Sequence, residues 1–382
     1  MTAFDAVALD ELRLRRSWKW AEYPPDVLPA WVAEMDVPLA EPIRTALRAA
    51  VDLGDLGYAD AGELPAAFAD FAASRLGWTV DPEQVRVVPD VMVGVAEILR
   101  TSTAPDDRVV VNPPVYPPFF HTVAEVGRPI VEVPLADTQT GWELDLDGLE
   151  EAFRAGTRVY LLCSPHNPTG TVWRRGDLER VAELAARYGV LVLADEIHAP
   201  LTLAGARHVP FLTVADAAAE HGVALTSASK AWNLAGLKCA VAVTSSDPMR
   251  AALDRLPDAV RYRAGNLGVL AAVAAFRDGG AWLDALLAHL DRNRRLLADL
   301  LAGSLPEVGY RPPEASFLAW LDCTALGLGD DPAEAFRTRG RVALTRGLDF
   351  GGQGAGFTRL NIGTSAALLT EAVRRMAASR NQ

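Results

Sequence analysis

Thr226-Ser227-Ala228-Ser229-Lys230-Ala231-Trp232-Asn233-Leu234-Ala235-Gly236-Leu237 is the stretch on which the fold turns. It places a lysine among small hydroxyl residues just after the apolar run 223–226. Upstream, Val190-Leu191-Val192-Leu193-Ala194 reads as a buried strand that ends in Asp195-Glu196-Ile197-His198. Further upstream, Ser164-Pro165-His166-Asn167-Pro168-Thr169-Gly170 closes the apolar run 157–163 with an Asn-Pro turn. Each chemically distinctive residue therefore follows a strand pattern. In open α/β sheets that is the end at which ligands bind.

Working outward, apolar and β-branched runs recur at 85–88, 108–112, 129–133, 157–163, 190–194, 223–226 and 239–244. Helical periods such as 91–100 and 176–188 lie between several of them. Continuous apolar strands of this kind predict an α/β fold, a mainly parallel seven-stranded sheet flanked by helices on both faces. Residues 1–40 read as an arm, with a polar helix-like start, then Trp18-Lys19-Trp20, then a Pro-rich stretch to Pro38. Residues 41–255 read as a large ligand-binding domain, and 256–382 as a smaller α+β domain. The latter is expected to carry helices at 264–276 and 281–302, strands near 316–321 and 358–362, and a last helix from about 366.

The bulk numbers narrow the function. Of 382 residues, 50% are apolar and 23% charged, enough apolar chain for a large core. A formal net charge of −12 argues against nucleic acid or an anionic membrane as the main partner. No uncharged apolar run reaches membrane-spanning length, and residues 1–16 lack the apolar core of a signal peptide. Cys163, Cys239 and Cys323 are far apart, without a C-x-x-C pair, and read as reduced, buried thiols of a cytoplasmic protein.

The residues beyond the strand ends are what a pyridoxal phosphate (PLP) site needs: an amine for the aldehyde, a carboxylate for the pyridine nitrogen, and a donor for the ring oxygen. Lys230 takes the first role, although a lysine ending a strand is otherwise simply solvated. Burial beside other cations lowers such an amine's pKa and keeps it reactive. Asp195 takes the second role, with a helix N-cap as its ordinary alternative. Asn167 takes the third, in what is also a turn. His198 is expected to buttress Asp195 or to line the pocket. Tyr116 lies in Asn112-Pro113-Pro114-Val115-Tyr116-Pro117-Pro118-Phe119, whose four prolines suit a rigid aromatic wall against the ring; otherwise it is a core tyrosine. For the phosphate, Val91 and Met92 open a helix after Pro89-Asp90 and supply N–H groups, with Ser227 and Lys238 adding hydroxyl and charge. Tyr58 is expected to reach the phosphate from a second subunit; it and Lys238 also fit a plain surface role. Arg359, in Phe357-Thr358-Arg359-Leu360-Asn361-Ile362-Gly363, offers a two-pronged clamp for a substrate carboxylate. No metal site is expected.

Several motifs carry a resemblance to a known family. Trp31-Val32-Ala33-Glu34-Met35-Asp36, Pro113-Pro114-Val115-Tyr116-Pro117-Pro118-Phe119, Ser164-Pro165-His166-Asn167-Pro168-Thr169-Gly170, Asp195-Glu196-Ile197-His198, Ser229-Lys230-x-x-Asn233-Leu234-Ala235-Gly236-Leu237 and Trp320-Leu321-Asp322-Cys323 are among them. With these, the chain resembles fold-type I PLP enzymes of aminotransferase class I/II ancestry, in the branch of bacterial cystathionine β-lyases and carbon–sulfur lyases. His166 and His198 point to the branch. The resemblance implies cleavage of the Cβ–S bond of cystathionine or another cysteine S-conjugate, to a thiol, pyruvate and ammonia. It also implies a homodimer with shared sites. A class I/II aminotransferase is the alternative, and a non-catalytic PLP-fold regulator a minor one. The chain departs from the family at Asp90, where glycine is common, and at Ser164, Pro200 and Ser316-Phe317.

Overall fold

A seven-stranded sheet forms the centre, in spatial order Val85–Val88, Ala240–Val243, Gly222–Thr226, Leu191–Asp195, Thr157–Cys163, Arg108–Val111 and Ile130–Glu132. The computed structural model describes residues 3–381. Neighbouring strands run parallel except Ala240–Val243, which opposes both of its neighbours. Each strand coincides with one of the apolar runs to within a residue or two at either end.

The continuous apolar character has a simple cause. Side chains alternate along a strand, so a sheet covered on both faces buries every position. Val110, Tyr160, Leu162, Val192, Ala194, Ala224 and Val241 belong to one core. Their neighbours Val109, Val111, Val159, Leu161, Leu193, Val223, Leu225 and Ala242 belong to a second. The helices Leu146–Arg154 and Arg175–Tyr188 cover the first face, and Val91–Ser102 and Pro118–Glu125 the second. The Val91–Ser102 helix lies close on the sheet. A Cβ added at Gly94 would sit 2.7 Å from Leu225 Cδ2, so this position has no room for one. That closeness brings the start of the helix to the strand ends.

The C-terminal part carries an antiparallel sheet in the order Gly309–Tyr310, Leu318–Asp322, Phe357–Asn361, Thr345–Arg346, with the helices Gly280–Ser304 and Ala366–Ala378 packed together. The Asn266–Asp278 helix, read in sequence with this part, packs instead on Glu41–Leu53 and Leu64–Phe71. In the arm, Leu28–Pro29 pairs in parallel with Val342–Ala343. Among the described residues, no helix is long and apolar enough to cross a membrane.

Candidate active site

A cavity of about 420 Å³ opens at the C-terminal ends of the 191–195 and 222–226 strands, beside the start of the 91–102 helix. Nine of the residues nominated from sequence line it: Lys230, Asp195, Asn167, Tyr116, His198, Val91, Met92, Ser227 and Lys238. Arg359 stands directly behind Asn167, and Tyr58 lies elsewhere.

Lys230 projects from the one-turn helix Ala228–Ala231 that follows the 222–226 strand. Ser227 caps this turn: its Oγ accepts from Ser229 N at 3.0 Å and donates to the Cys239 carbonyl at 2.6 Å. The serine proton is therefore already committed. Its expected use as a phosphate donor competes with holding the lysine turn in place. Lys230 Nζ donates to the Ala33 carbonyl at 3.0 Å. Burial, and then the charge of Arg359, bring the amine down to about 8, against the opposing pull of Asp195 and Glu34.

Asp195 ends its strand with Oδ1 accepting from Ile197 N at 3.1 Å, so it also ties the turn just beyond the strand, close to its ordinary role. Burial drives its carboxyl up to about 7. Asn167 Oδ1 accepts from Arg359 Nη1 at 3.0 Å. An arginine can only donate, so this contact sets the amide's orientation and leaves Nδ2 as the donor on the cavity side. Tyr116 sits edge-on to Phe119, with its hydroxyl pushed up to about 12 by burial and then by Asp195. His198 lies edge-on to Phe317, and its Nδ1 has no partner. Asp195 is held by a backbone N–H instead, so His198 lines the pocket and does not buttress the carboxylate. Burial, then Lys230 and Arg359, hold its imidazole down to about 3, and it stays neutral.

The acid at position 90 has two uses that the sequence left open. Its Oδ1 caps the 91–102 helix by accepting from Val93 N at 2.8 Å, which leaves the N–H groups of Val91 and Met92 toward the cavity. Its Oδ2 pairs with Lys238 Nζ at 3.1 Å.

Arg359 is 5% exposed. Besides Asn167 it donates to the Trp31 carbonyl and to Thr345 Oγ1, both at 3.2 Å, and its guanidinium lies 4.9 Å from the centre of the Phe350 ring. Its Nε has no partner, and among the described residues it makes no salt bridge, feeling Asp349 only as a more distant charge. Burial lowers its pKa to about 10. A buried guanidinium in this state is costly unless an anion arrives. A free amine, a carboxyl lifted by burial, an oriented amide and an unpaired guanidinium are together the donor set that PLP and an α-amino acid require. The residues present fit the cofactor.

Tyr58 is 87% exposed and meets only Tyr262 edge-on among the described rings. Sequence reading gave no role to Trp18, Ala33 or Cys163, which also line the cavity. Trp18 stacks edge-on against Trp31 at 4.6 Å. It also overlooked Asn233, which bonds across to Met35. Both residues lie in quoted motifs, but the contact spans 198 positions and leaves no local signal. A cavity of about 380 Å³ behind the Thr169–Gly170 turn contains no lysine and no residue of this set.

Comparison with known proteins agrees with this geometry. The model of the aminotransferase class I and II family matches residues 22–376. A Mycobacterium tuberculosis protein (strain ATCC 25618 / H37Rv), named as a candidate cystathionine β-lyase, is 46% identical over 402 residues, covering 98% of this chain and 97% of its own. The cystathionine β-lyase PatB of Bacillus subtilis (strain 168) is 36% identical, covering 93% of this chain and 92% of its own. A crystal structure from Corynebacterium diphtheriae, described as that of a candidate PLP-dependent β-cystathionase, superposes with a TM-score of 0.93 at 36% identity, covering 98% of each chain. The fold is that of fold-type I PLP enzymes, and the chain belongs to the aminotransferase class I and II family. Within it, the chain falls in the cystathionine β-lyase branch.

Proposed function

We propose that this chain is a PLP-dependent carbon–sulfur β-lyase that cleaves cystathionine or a related cysteine S-conjugate to a thiol, pyruvate and ammonia. The observation that carries the reading is the buried guanidinium of Arg359, free of any carboxylate and joined through Asn167 to the cavity of Lys230 and Asp195. This is a seat for an α-amino acid, and the named relatives supply the β-elimination. When bound, PLP supplies an electron sink for negative charge at the substrate Cα.

The residues divide the remaining work. Arg359 takes the carboxylate in a two-pronged contact. Asp195 would hold a negative charge for the pyridine nitrogen of the bound cofactor, and Asn167 Nδ2 would donate to its ring oxygen. Lys230, with its amine brought to about 8, is partly neutral near pH 8 and takes the Cα proton as general base. Tyr116, with its hydroxyl lifted to about 12, keeps its proton through the working range and stands in the same cavity as a donor to the departing sulfur.

An aminotransferase is the second reading, favoured by the family to which the chain belongs. Both reactions share proton removal at Cα; elimination then expels the sulfur from Cβ and ends in pyruvate and ammonia, whereas transamination would release a keto acid and leave the substrate's amino group with the enzyme. The test supplies cystathionine with no keto acid. Repeated turnover to pyruvate and thiol is expected. A halt after one equivalent, relieved by a keto acid, would establish transamination instead.

The protein is further proposed to act as a homodimer in the cytoplasm, with Tyr58 reaching the partner's phosphate. Leu53, Leu56, Tyr58 and Tyr262 leave an exposed apolar surface that supports the first point. The buried, unpaired Cys163, Cys239 and Cys323 suit a reducing compartment.

A further inference from the structure

Residues 31–36, Trp31-Val32-Ala33-Glu34-Met35-Asp36, form neither helix nor strand. The carbonyls of such a run must find partners elsewhere. Five consecutive carbonyls, Trp31 to Met35, each accept from a side chain. Some donors come from the C-terminal sheet. Thr345 Oγ1 and Arg359 Nη2 reach Trp31 at 2.7 and 3.2 Å, and Asn361 Nδ2 spans Val32 and Glu34 at 2.8 and 2.7 Å. Others come from the lysine turn: Lys230 Nζ reaches Ala33 at 3.0 Å and Asn233 Nδ2 reaches Met35 at 2.9 Å. The arm adds Lys19, which reaches Glu34 at 3.0 Å while paired at 2.7 Å with buried Asp36. Two cations of the active site, Arg359 and Lys230, thus rest on alternate carbonyls of one short piece of backbone.

Asn233 closes this bridge in both directions. Its Oδ1 accepts from Met35 N at 2.8 Å, and its Nδ2 donates to Met35 O. Its own φ is 60°, a left-handed conformation that asparagine and glycine tolerate. Backbone preference would be met equally by glycine; the two bonds would not.

We propose that segment 31–36 is the bar that sets the spacing of Lys230 and Arg359, and that Asn233 is the positioning residue that fixes it to the lysine turn. The inference rests on the reading of Lys230 as the base at Cα. Whenever Lys230 carries a free amine, the Ala33 carbonyl gives it a fixed acceptor. The charged and titratable groups around that amine are Asp195 at the end of its strand in the central sheet, His198 from the turn beyond that strand, Arg359 from the C-terminal sheet, Glu34 from the arm, and Lys238 from the loop beyond the lysine turn. Asn233 bonds to none of these, but it does hold the backbone that carries the Ala33 carbonyl. An acceptor favours the ammonium form, so loosening it moves the amine's titration downward.

Asn233→Gly keeps the backbone conformation and removes both bonds; Asn233→Asp keeps only the acceptor for Met35 N. The PLP-loaded full chain is followed by amide exchange and by exchange of the Cα proton of L-alanine in heavy water. The second measurement needs no leaving group and so does not depend on elimination. In Asn233→Gly, amides 31–36 should exchange at least about tenfold faster while those of the 191–195 strand keep their rate. The acid limb of alanine exchange should move down by about half a pH unit, and its plateau should fall about tenfold with little change in KM. Asn233→Asp should lie between parent and glycine variant. Parental exchange at 31–36 would refute the bridge. Faster amide exchange with the acid limb unmoved and the alanine rate within about twofold would reduce the segment to scaffolding. Alanine exchange that shows these shifts, in a protein that makes no pyruvate from cystathionine, would overturn the lyase reading and leave this one standing.

Discussion

Asp195 holds its place against a cost that changes with pH. Burial lifts its carboxyl from the ordinary range near 4 to about 7. Between those values the folded, cofactor-free chain keeps a proton that the unfolded chain has released. The stability from this group is therefore whole below pH ~4 and lost as pH rises through 7. Asp195→Asn keeps the shape without the charge. Its melting temperature relative to the parent should rise from pH 5 to pH 8, read by thermal unfolding of cofactor-free protein; a constant difference would assign the burden elsewhere. Arg359 is the converse case, a cation that already lacks its anion. Arg359→Lys removes the fork and should lower kcat/KM for an amino-acid substrate by about 100-fold, on the order of 2–3 kcal/mol of charge-assisted bonding. Steady-state kinetics checks it, and a change within about threefold would remove Arg359 from the carboxylate site. Borohydride reduction of the loaded protein should fix the cofactor to Lys230, and peptide mapping should find the label on no other lysine.

The 91–102 helix shows how an element serves both fold and site. Its start was readable, because Pro89-Asp90 precedes an apolar helical period. Its approach to the sheet depends on Gly94 against Leu225, and its first residues, Val91 and Met92, line the cavity. Asp90 acts on both. As the cap it stabilises the helix, and it engages Lys238; as a negative charge beside the proposed phosphate site it would oppose an anion. Asp90→Asn keeps an acceptor for Val93 N and releases Lys238, so cofactor dissociation should slow several-fold at unchanged stability. Asp90→Ala removes the cap and should cost about 1 kcal/mol. Fluorescence of cofactor release and chemical denaturation separate the two. If both variants release the cofactor at the parental rate, the charge at 90 lies outside the phosphate's field.

At the scale of the molecule, the arm joins parts distant in sequence. Leu28–Pro29 pairs alongside the strand Val342–Ala343, and residues 31–36 lie between the lysine turn and the C-terminal sheet. A second copy is proposed to complete each site through Tyr58. Tyr58→Ala and Lys230→Ala chains, each inactive alone, should regain about a quarter of the sites when refolded together, since half of the dimers are mixed and each mixed dimer holds one intact site. Recovery is read as pyruvate formation. No recovery, with dimers present by sedimentation, would confine Tyr58 to its own subunit.

The sequence by itself determined the sheet, the strand ends and the nature of the cofactor site. Those signals are local: a buried strand is a continuous apolar run, and Lys230, Asp195 and Asn167 each lie within a few residues of such a run's end. Nearest-neighbour chemistry could not show how a hydroxyl or a ring would be used. Ser227 was legible as a donor but not as bound to Cys239, and His198 was legible as near Asp195 but not as turned toward Phe317. The pairing of Asp90 with Lys238, of Asn167 with Arg359, and of Asn233 with Met35 spans 148, 192 and 198 positions. Tertiary structure alone decided these, because hydrogen bonds are made between groups that packing brings within about 3 Å, and no periodicity in the chain records which distant segments will meet.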